Sequence, residues 1–219
     1  MSINAIIGKI IFRLTEKFDQ KILSKIRNKF LKKKDFTIIS NNCFGGWVYR
    51  IFGLEYQSPT IGLFIMPKDY LKFINNLEYY INDCKLKFIN CEQSKYYDYW
   101  IKREKRFGKY PIGVLDDIEI HFLHYSSEDE AKLKWKRRSQ RINWNNIIIK
   151  FSDQNGCTQK ELKEFSKYNK FKKRLCFVAN KENCFLDFIY VKEFKKDGYV
   201  IDDTWFCRKH VNLKQLIEL

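Results

Sequence analysis

The run over residues 146–151, Asn-Ile-Ile-Ile-Lys-Phe, constrains the fold more than any other stretch of this chain. It is almost continuously apolar, so it leaves no polar face to turn toward water. Such a strand belongs in the middle of a sheet covered on both sides, where parallel strands are usually found. Its surroundings agree. From residue 35 onward short apolar runs alternate with stretches of helical periodicity, the pattern of an α/β chain. Strands are expected at residues 36–40, 60–65, 86–89, 117–125, 146–151, 174–178, 185–191 and 199–201. Helices are expected at 46–52, 67–82, 127–141, 159–168 and 213–219. Pro67 suits a first helical turn, and Ser127 with Glu130 has capping-box spacing. Residues 92–107 are charged and aromatic and carry no clear period. With only three prolines and nine glycines, elements should be long and loops short. The expected architecture is a three-layer α/β/α domain with a mainly parallel sheet over residues 35–219.

Residues 1–34 read differently. Ile3, Ile6, Ile7, Ile10, Ile11, Leu14, Phe18, Ile22, Ile26 and Phe30 recur every three or four positions, and Lys9, Arg13, Lys17, Lys21, Lys25 and Lys29 fill the faces between them. This is one long amphipathic helix. An apolar stripe opposite a cationic face suits a helix lying in a membrane interface; a surface helix docked on its own core gives the same pattern. The segment holds ten Lys and Arg against Glu16 and Asp19, half of the net charge of +16.

Several function classes fall away. The body is only mildly basic and lacks zinc-finger spacing, a basic zipper or an aromatic RNA-reading motif, so nucleic acid is not the expected partner. Seven cysteines without a CxxC pair point to reduced thiols in the cytoplasm. No apolar run is long enough to span a bilayer, and Lys9 and Arg13 break the pattern of a signal peptide. Neither a metal nor a cofactor is expected: the glycine spacing of phosphate-binding loops and dinucleotide fingerprints is absent.

In an open parallel sheet, ligands bind beyond the carboxyl ends of the strands. Those ends carry Ser40-Asn41-Asn42-Cys43-Phe44-Gly45-Gly46, His124-Tyr125-Ser126, Ser152-Asp153 and Ala179-Asn180. The Gly45-Gly46 pair permits a tight turn and close approach of a ligand. The helix start that follows would favour an oxyanion and lower the pKa of Cys43, unless Cys43 is simply a small residue beside a turn. His124 is the candidate acid or base; His121, on the opposite strand face, reads as a packing residue. Arg138 and Arg141, on the basic helix after residue 127, suit phosphate groups, although a solvated basic face would look the same.

Taken together, Ile38-Ile39-Ser40-Asn41-Asn42-Cys43-Phe44-Gly45-Gly46, Tyr56-Gln57-Ser58-Pro59-Thr60, Tyr110-Pro111-Ile112-Gly113, Glu119-Ile120-His121-Phe122-Leu123-His124-Tyr125, and Lys134-Trp135-Lys136-Arg137-Arg138 through Arg141-Ile142-Asn143-Trp144 form an ordered series. The series resembles a bacterial family of exopolysaccharide-biosynthesis proteins, catalogued as domain of unknown function nineteen-nineteen, over residues 36–180. The resemblance implies an α/β fold and a role in building exopolysaccharide, capsule or lipopolysaccharide. It puts weight on Asn42, Cys43, Ser58, His121, His124, Arg138 and Arg141.

The resulting expectation is a transferase that passes a glycosyl or acyl group from an activated donor to a glycan. It would work in the cytoplasm, at the inner face of the membrane. His124 would deprotonate the acceptor and Arg138 and Arg141 would hold donor phosphates, while Asn41, Asn42, Gly45, Gly46, Ser58 and His121 would line the substrate site. In a covalent variant Cys43 attacks the donor, His124 activates it, and the 42–46 turn stabilises the oxyanion. The alternative is a peripheral accessory protein that binds anionic lipid and a partner and performs no chemistry.

Overall fold

The computed structural model describes every residue of the chain except Leu186. Helix α1 (Ile3–Phe18) passes through a π-helical turn (Asp19–Leu23) into α2 (Ser24–Phe30). Strand β1 (Thr37–Ser40) leads to α3 (Phe44–Ile51), and β2 (Phe64–Ile65) to α4 (Pro67–Asn75). Strand β3 (Lys87–Ile89) and the short α5 (Tyr97–Trp100) precede the hairpin of β4 (Ile112–Leu115) and β5 (Ile118–His121). Then come α6 (Glu128–Ser139), β6 (Ile147–Ser152), α7 (Gln159–Ser166), β7 (Lys173–Val178), β8 (Ile189–Tyr190), α8 (Cys207–His210) and α9 (Leu213–Glu218).

The chain is α/β, but its strands form two sheets. One is parallel, in the order β1-β6-β7-β8, and the other is antiparallel, in the order β2-β5-β4-β3. The apolar run at β6 occupies the interior of the parallel sheet, and all six of its residues are buried. One face of that sheet, through Ile38, Ile148, Leu175 and Phe177, packs with α3, α8, α9 and Ala5 of α1. The other face, through Ile39, Ile149, Phe151 and Val178, shares a core with α4, α6, α7 and the antiparallel sheet.

The expected mainly parallel three-layer sandwich therefore leaves half of the strands out. The reason is local. Asp116 takes a positive φ of 51°, and a two-residue Asp116-Asp117 turn folds β5 back on β4, pairing Leu115 with Ile118. The run over 117–125, expected as a parallel strand, is an antiparallel one that stops at His121. Residues 199–201, expected to be extended, form no strand, and the strand expected over 185–191 is confined to β8; its Leu186 lies outside the described residues. Of the capping box expected at Ser127, one half is present: the Ser127 side chain accepts from Glu130 N (3.2 Å), while the Glu130 carboxylate accepts from Ser126 N and Oγ (2.7 Å each) and not from Ser127 N. All seven cysteines are free.

Candidate functional site

At the carboxyl end of the parallel sheet, Asn41 and Asn42 leave β1 and Lys150 and Ser152 end β6. Lys150 is fully buried between the Phe44 and Phe177 rings. Its ammonium pairs with Asp203 and donates to Asn41 Oδ1 (3.2 Å), Asn42 Oδ1 (3.0 Å) and Ser152 Oγ (3.2 Å). Asn42 Nδ2 donates in turn to Gln154 Oε1 (2.8 Å) and Asp203 Oδ2 (2.9 Å). A buried cation is tolerated where opposite charge and dipoles surround it, and these residues form that shell. The two asparagines, expected to hold a ligand, hold Lys150, although Asn42 also reaches the cleft above it.

That cleft has a volume of about 370 Å³ and is lined by Cys43, Trp47, Arg50, His124 and Asp202, with Phe12 and Glu16 of α1 on one wall. A second cavity of about 310 Å³ shares Cys43, Arg50 and His124 with it and adds Gly46, Tyr56, Tyr125, Lys134 and Arg138. The two are lobes of one site, and His124 stands where they meet. It arrives by a turn after β5, with its backbone N–H donating to Gly62 O (3.0 Å). Gly62 has φ +75°, and a Cβ there would lie 3.3 Å from His124 Cβ. A glycine is needed to let the turn approach this closely.

Charge is distributed unevenly across the lobes. Asp202 Oδ1 accepts from Thr204 N (2.9 Å) and Thr204 Oγ1 (2.6 Å). Burial, with the neighbouring Asp203 charge, pushes its carboxyl up to about 6. Burial, then the Arg106 and Arg50 cations, pulls the His124 imidazole below its ordinary value, which favours the neutral ring. Asp153, whose oxygens accept from Ala179 N (2.8 Å) and Val200 N (2.7 Å), is likewise raised to about 6 by burial.

In the other lobe Arg138 is only 6% exposed. Its Nη1 donates to Tyr125 Oη (2.6 Å) and Ile61 O (3.3 Å), and its guanidinium lies 4.9 Å from the centre of the Tyr56 ring. Its Nε is buried without a partner, and no carboxylate pairs with it among the described residues. A buried guanidinium with no counter-ion is costly unless an anion completes it.

The remaining expected residues fare differently. Cys43 lies in both lobes, but the lowered pKa expected at a helix start is reversed. Burial and the Asp202 and Asp203 charges push the thiol up to about 12. Gly46 borders the Arg138 lobe, whereas Gly45 packs on Ile38 and Ser40 of β1, and a Cβ there would lie 3.3 Å from each. Ser58 is buried against Thr60 (3.0 Å between hydroxyls) and lines neither lobe. Arg141 points away and pairs with Glu55 at 2.6 Å. His121 is fully buried, stacked on Phe64 at 4.4 Å, with Trp100, Phe107 and Tyr110 around it. Burial pulls it down to about 3. At neutral pH it is uncharged, so its 3.9 Å approach to Glu119 is not an ion pair.

Lys150, Asp202, Asp203 and Arg50 were missed from the sequence. Lys150 carried a usable signal, as a lone cation inside an otherwise apolar buried strand. Adjacent Asp202 and Asp203 lie in a region of weak pattern, and only the fold brings them to β6. Among the described residues no group of three or more His, Cys, Asp or Glu is arranged to hold a metal ion. No helix among them is long and apolar enough to cross a membrane.

A protein of Haemophilus influenzae described as uncharacterized is 31% identical over 180 residues, which is 82% of this chain and 79% of that one. The match to the family described as Domain of unknown function (DUF1919) spans residues 14–218, wider than the 36–180 stretch in which the motifs lie. It takes in part of the N-terminal helix and the Asp202-Asp203 pair. The chain belongs to the DUF1919 family.

Proposed function

We propose that the chain is a transferase of cell-surface polysaccharide assembly, moving a glycosyl group from a phosphate-bearing donor to an acceptor hydroxyl. The polysaccharide context rests on the resemblance of its motifs to exopolysaccharide-biosynthesis proteins. The transfer chemistry rests on one observation: Arg138 is a buried cation without a counter-ion, lining a cavity that opens onto His124 and, through it, onto Asp202. An anionic donor completes Arg138, with Arg50 close by.

In this reading the acceptor oxygen bonds to the anomeric carbon. The bond from that carbon to the phosphate oxygen breaks, leaving its electron pair on the donor phosphate. The acceptor proton passes to Asp202, whose carboxyl, near 6, is ionised at neutral pH and basic enough to take it. Neutral His124 hydrogen-bonds the acceptor hydroxyl and holds it between the lobes. A sugar donor fits better than an acyl thioester, whose reactive carbonyl lies at the end of a long arm from its phosphates. Here the anion site and the acid–base groups share one cleft. The raised Cys43 thiol does not favour a covalent route.

The test is made in the native host by comparing a gene deletion with chromosomal Asp202→Asn and Arg138→Met. The surface polysaccharide should lose the same sugar in all three strains, by mass and linkage. An unchanged polysaccharide in the deletion strain would remove the polysaccharide role. A change in the deletion strain alone would leave an accessory protein without chemistry.

A further inference from the structure

The N-terminal helix docks with its small and polar side inward. Ala5, Gly8, Asp19 and Ser24 are buried. Gly8 sits so close to Phe206 that a Cβ would come within 2.3 Å of the ring. Ser2 N donates to Asp197 Oδ1 (2.7 Å), and Asp19 lies between Arg27 (2.7 Å) and Arg208 (2.5 Å). The π-helical turn brings Asp19 and Ser24, five residues apart, to the same inward side.

The large apolar residues consequently face out. Ile3 is 75% exposed, Leu14 76% and Phe18 53%, and Ile6, Ile7, Ile10, Ile11, Ile22, Ile26 and Phe30 are exposed as well. Single exposed apolar side chains are ordinary, but a continuous row along a whole helix marks a surface made to be covered.

Charge selects what covers it. On the helical wheel of α1, Ile3, Ile7, Ile10, Ile11, Leu14 and Phe18 share one arc, and Lys9, Arg13 and Lys17 lie on the arc beside it. The stripe then runs into a groove of about 580 Å³ lined by Ile26, Phe30, Phe52 and Leu213 together with Arg208 and Lys214. A second copy of the chain would bring the same positive surplus against this one. An anionic lipid surface offers acyl chains to the stripe and complementary charge to its flank.

We infer that the chain rests on anionic membrane, with α1 and α2 lying in the plane of the interface. This docking goes beyond the transfer reading and does not depend on it. Phe12 and Glu16, on the inward side of the same helix, wall the lobe that holds Asp202. One helix, roughly 10 Å across, thereby separates the cleft from the interface, which keeps it within reach of a headgroup, so the acceptor or donor is one carried on a lipid; this last step alone rests on the transfer reading.

The test is flotation of the full chain with vesicles of phosphatidylcholine alone and of phosphatidylcholine mixed with phosphatidylglycerol. The chain should float with the mixed vesicles, less so as salt rises, and hardly with the neutral ones. Ile7→Ser/Ile10→Ser/Leu14→Ser should lower partitioning more than about tenfold, and Lys9→Glu/Lys17→Glu/Lys21→Glu should abolish the preference for anionic lipid. All six positions are exposed or half-buried, so near-ultraviolet circular dichroism should stay unchanged. A chain that ignores mixed vesicles at low salt overturns the inference. So does a lipid-free dimer that the triple Ser variant dissolves, which would make the stripe a surface for self-association.

Discussion

At the scale of single residues, the proposed transfer rests on Asp202 and Arg138. The folded state holds the Asp202 proton more tightly than the unfolded chain, because burial raises the carboxyl from 3.8 to about 6. Stability from this group is therefore complete below the unfolded value and is lost as pH rises through about 6. Asp202→Asn keeps an acceptor for Thr204 N and Oγ1 but has no charge to bury. It should be more stable than the wild type above neutrality, by about 1–3 kcal/mol, and no more stable at pH 4, by denaturant titration at both values. Equal gains at both would refute the raised carboxyl. His124 works in the opposite sense: its lowered value means that stability is lost as pH falls through the ordinary imidazole range. Of the site, His124, Asn42, Gly46 and Arg138 were legible as polar or flexible residues at element ends. Arg141 was not distinguishable from Arg138, because the basic run does not show that α6 stops at Ser139 and leaves Arg141 in the turn beyond it, nor that packing against Tyr125 and Tyr56 turns Arg138 inward.

At the scale of elements, the Lys150–Asp203 pair ties β6 to the segment after residue 200. Lys150→Met leaves Asp203 buried and without its cation, and should cost roughly 3–5 kcal/mol. Lys150→Met/Asp203→Leu should recover much of that loss, whereas additive losses in a double-mutant cycle would mean that the two do not act as a pair. The N-terminal helix gives the converse case. Gly8→Val should loosen its docking on Phe206 and lower the melting temperature, while Ile10→Ser, on the exposed face, should leave it unchanged. A Gly8→Val protein as stable as the wild type would mean that the helix is not seated there. The helix itself was plain from its period. Its orientation was not, because an apolar stripe is normally the buried face, and here Ala5, Gly8, Asp19 and Ser24 form the seat instead. The β4–β5 hairpin was hidden in the same way. Its turn is two aspartates without a glycine, and β4 is short and follows Pro111, so β5 read as the next parallel strand.

At the scale of the whole molecule, the alternation of strands and helices gave the parallel sheet, because β6 and β7 are six-residue runs and β1 is buried at all four of its positions. The second sheet has strands of two to four residues and is defined by long-range pairing rather than by its own pattern. The cleft depends on both sheets: Asn42 and Lys150 come from the parallel one and His124 from the end of the antiparallel one, while Asp202 comes from a segment with little local signature. The central claim is that this shared cleft binds the phosphate of a donor through Arg138. Isothermal titration of the full chain with pyrophosphate, beside Arg138→Met, tests it most directly. Tyr125 Oη still donates to Ile61 O (2.5 Å) without the arginine, so the variant should fold with stability within about 1 kcal/mol of the wild type, or above it. The wild type should bind pyrophosphate saturably at one site and Arg138→Met should lose roughly thirtyfold or more in affinity; equal affinity in the two proteins, or no saturable binding by the wild type, would contradict the account.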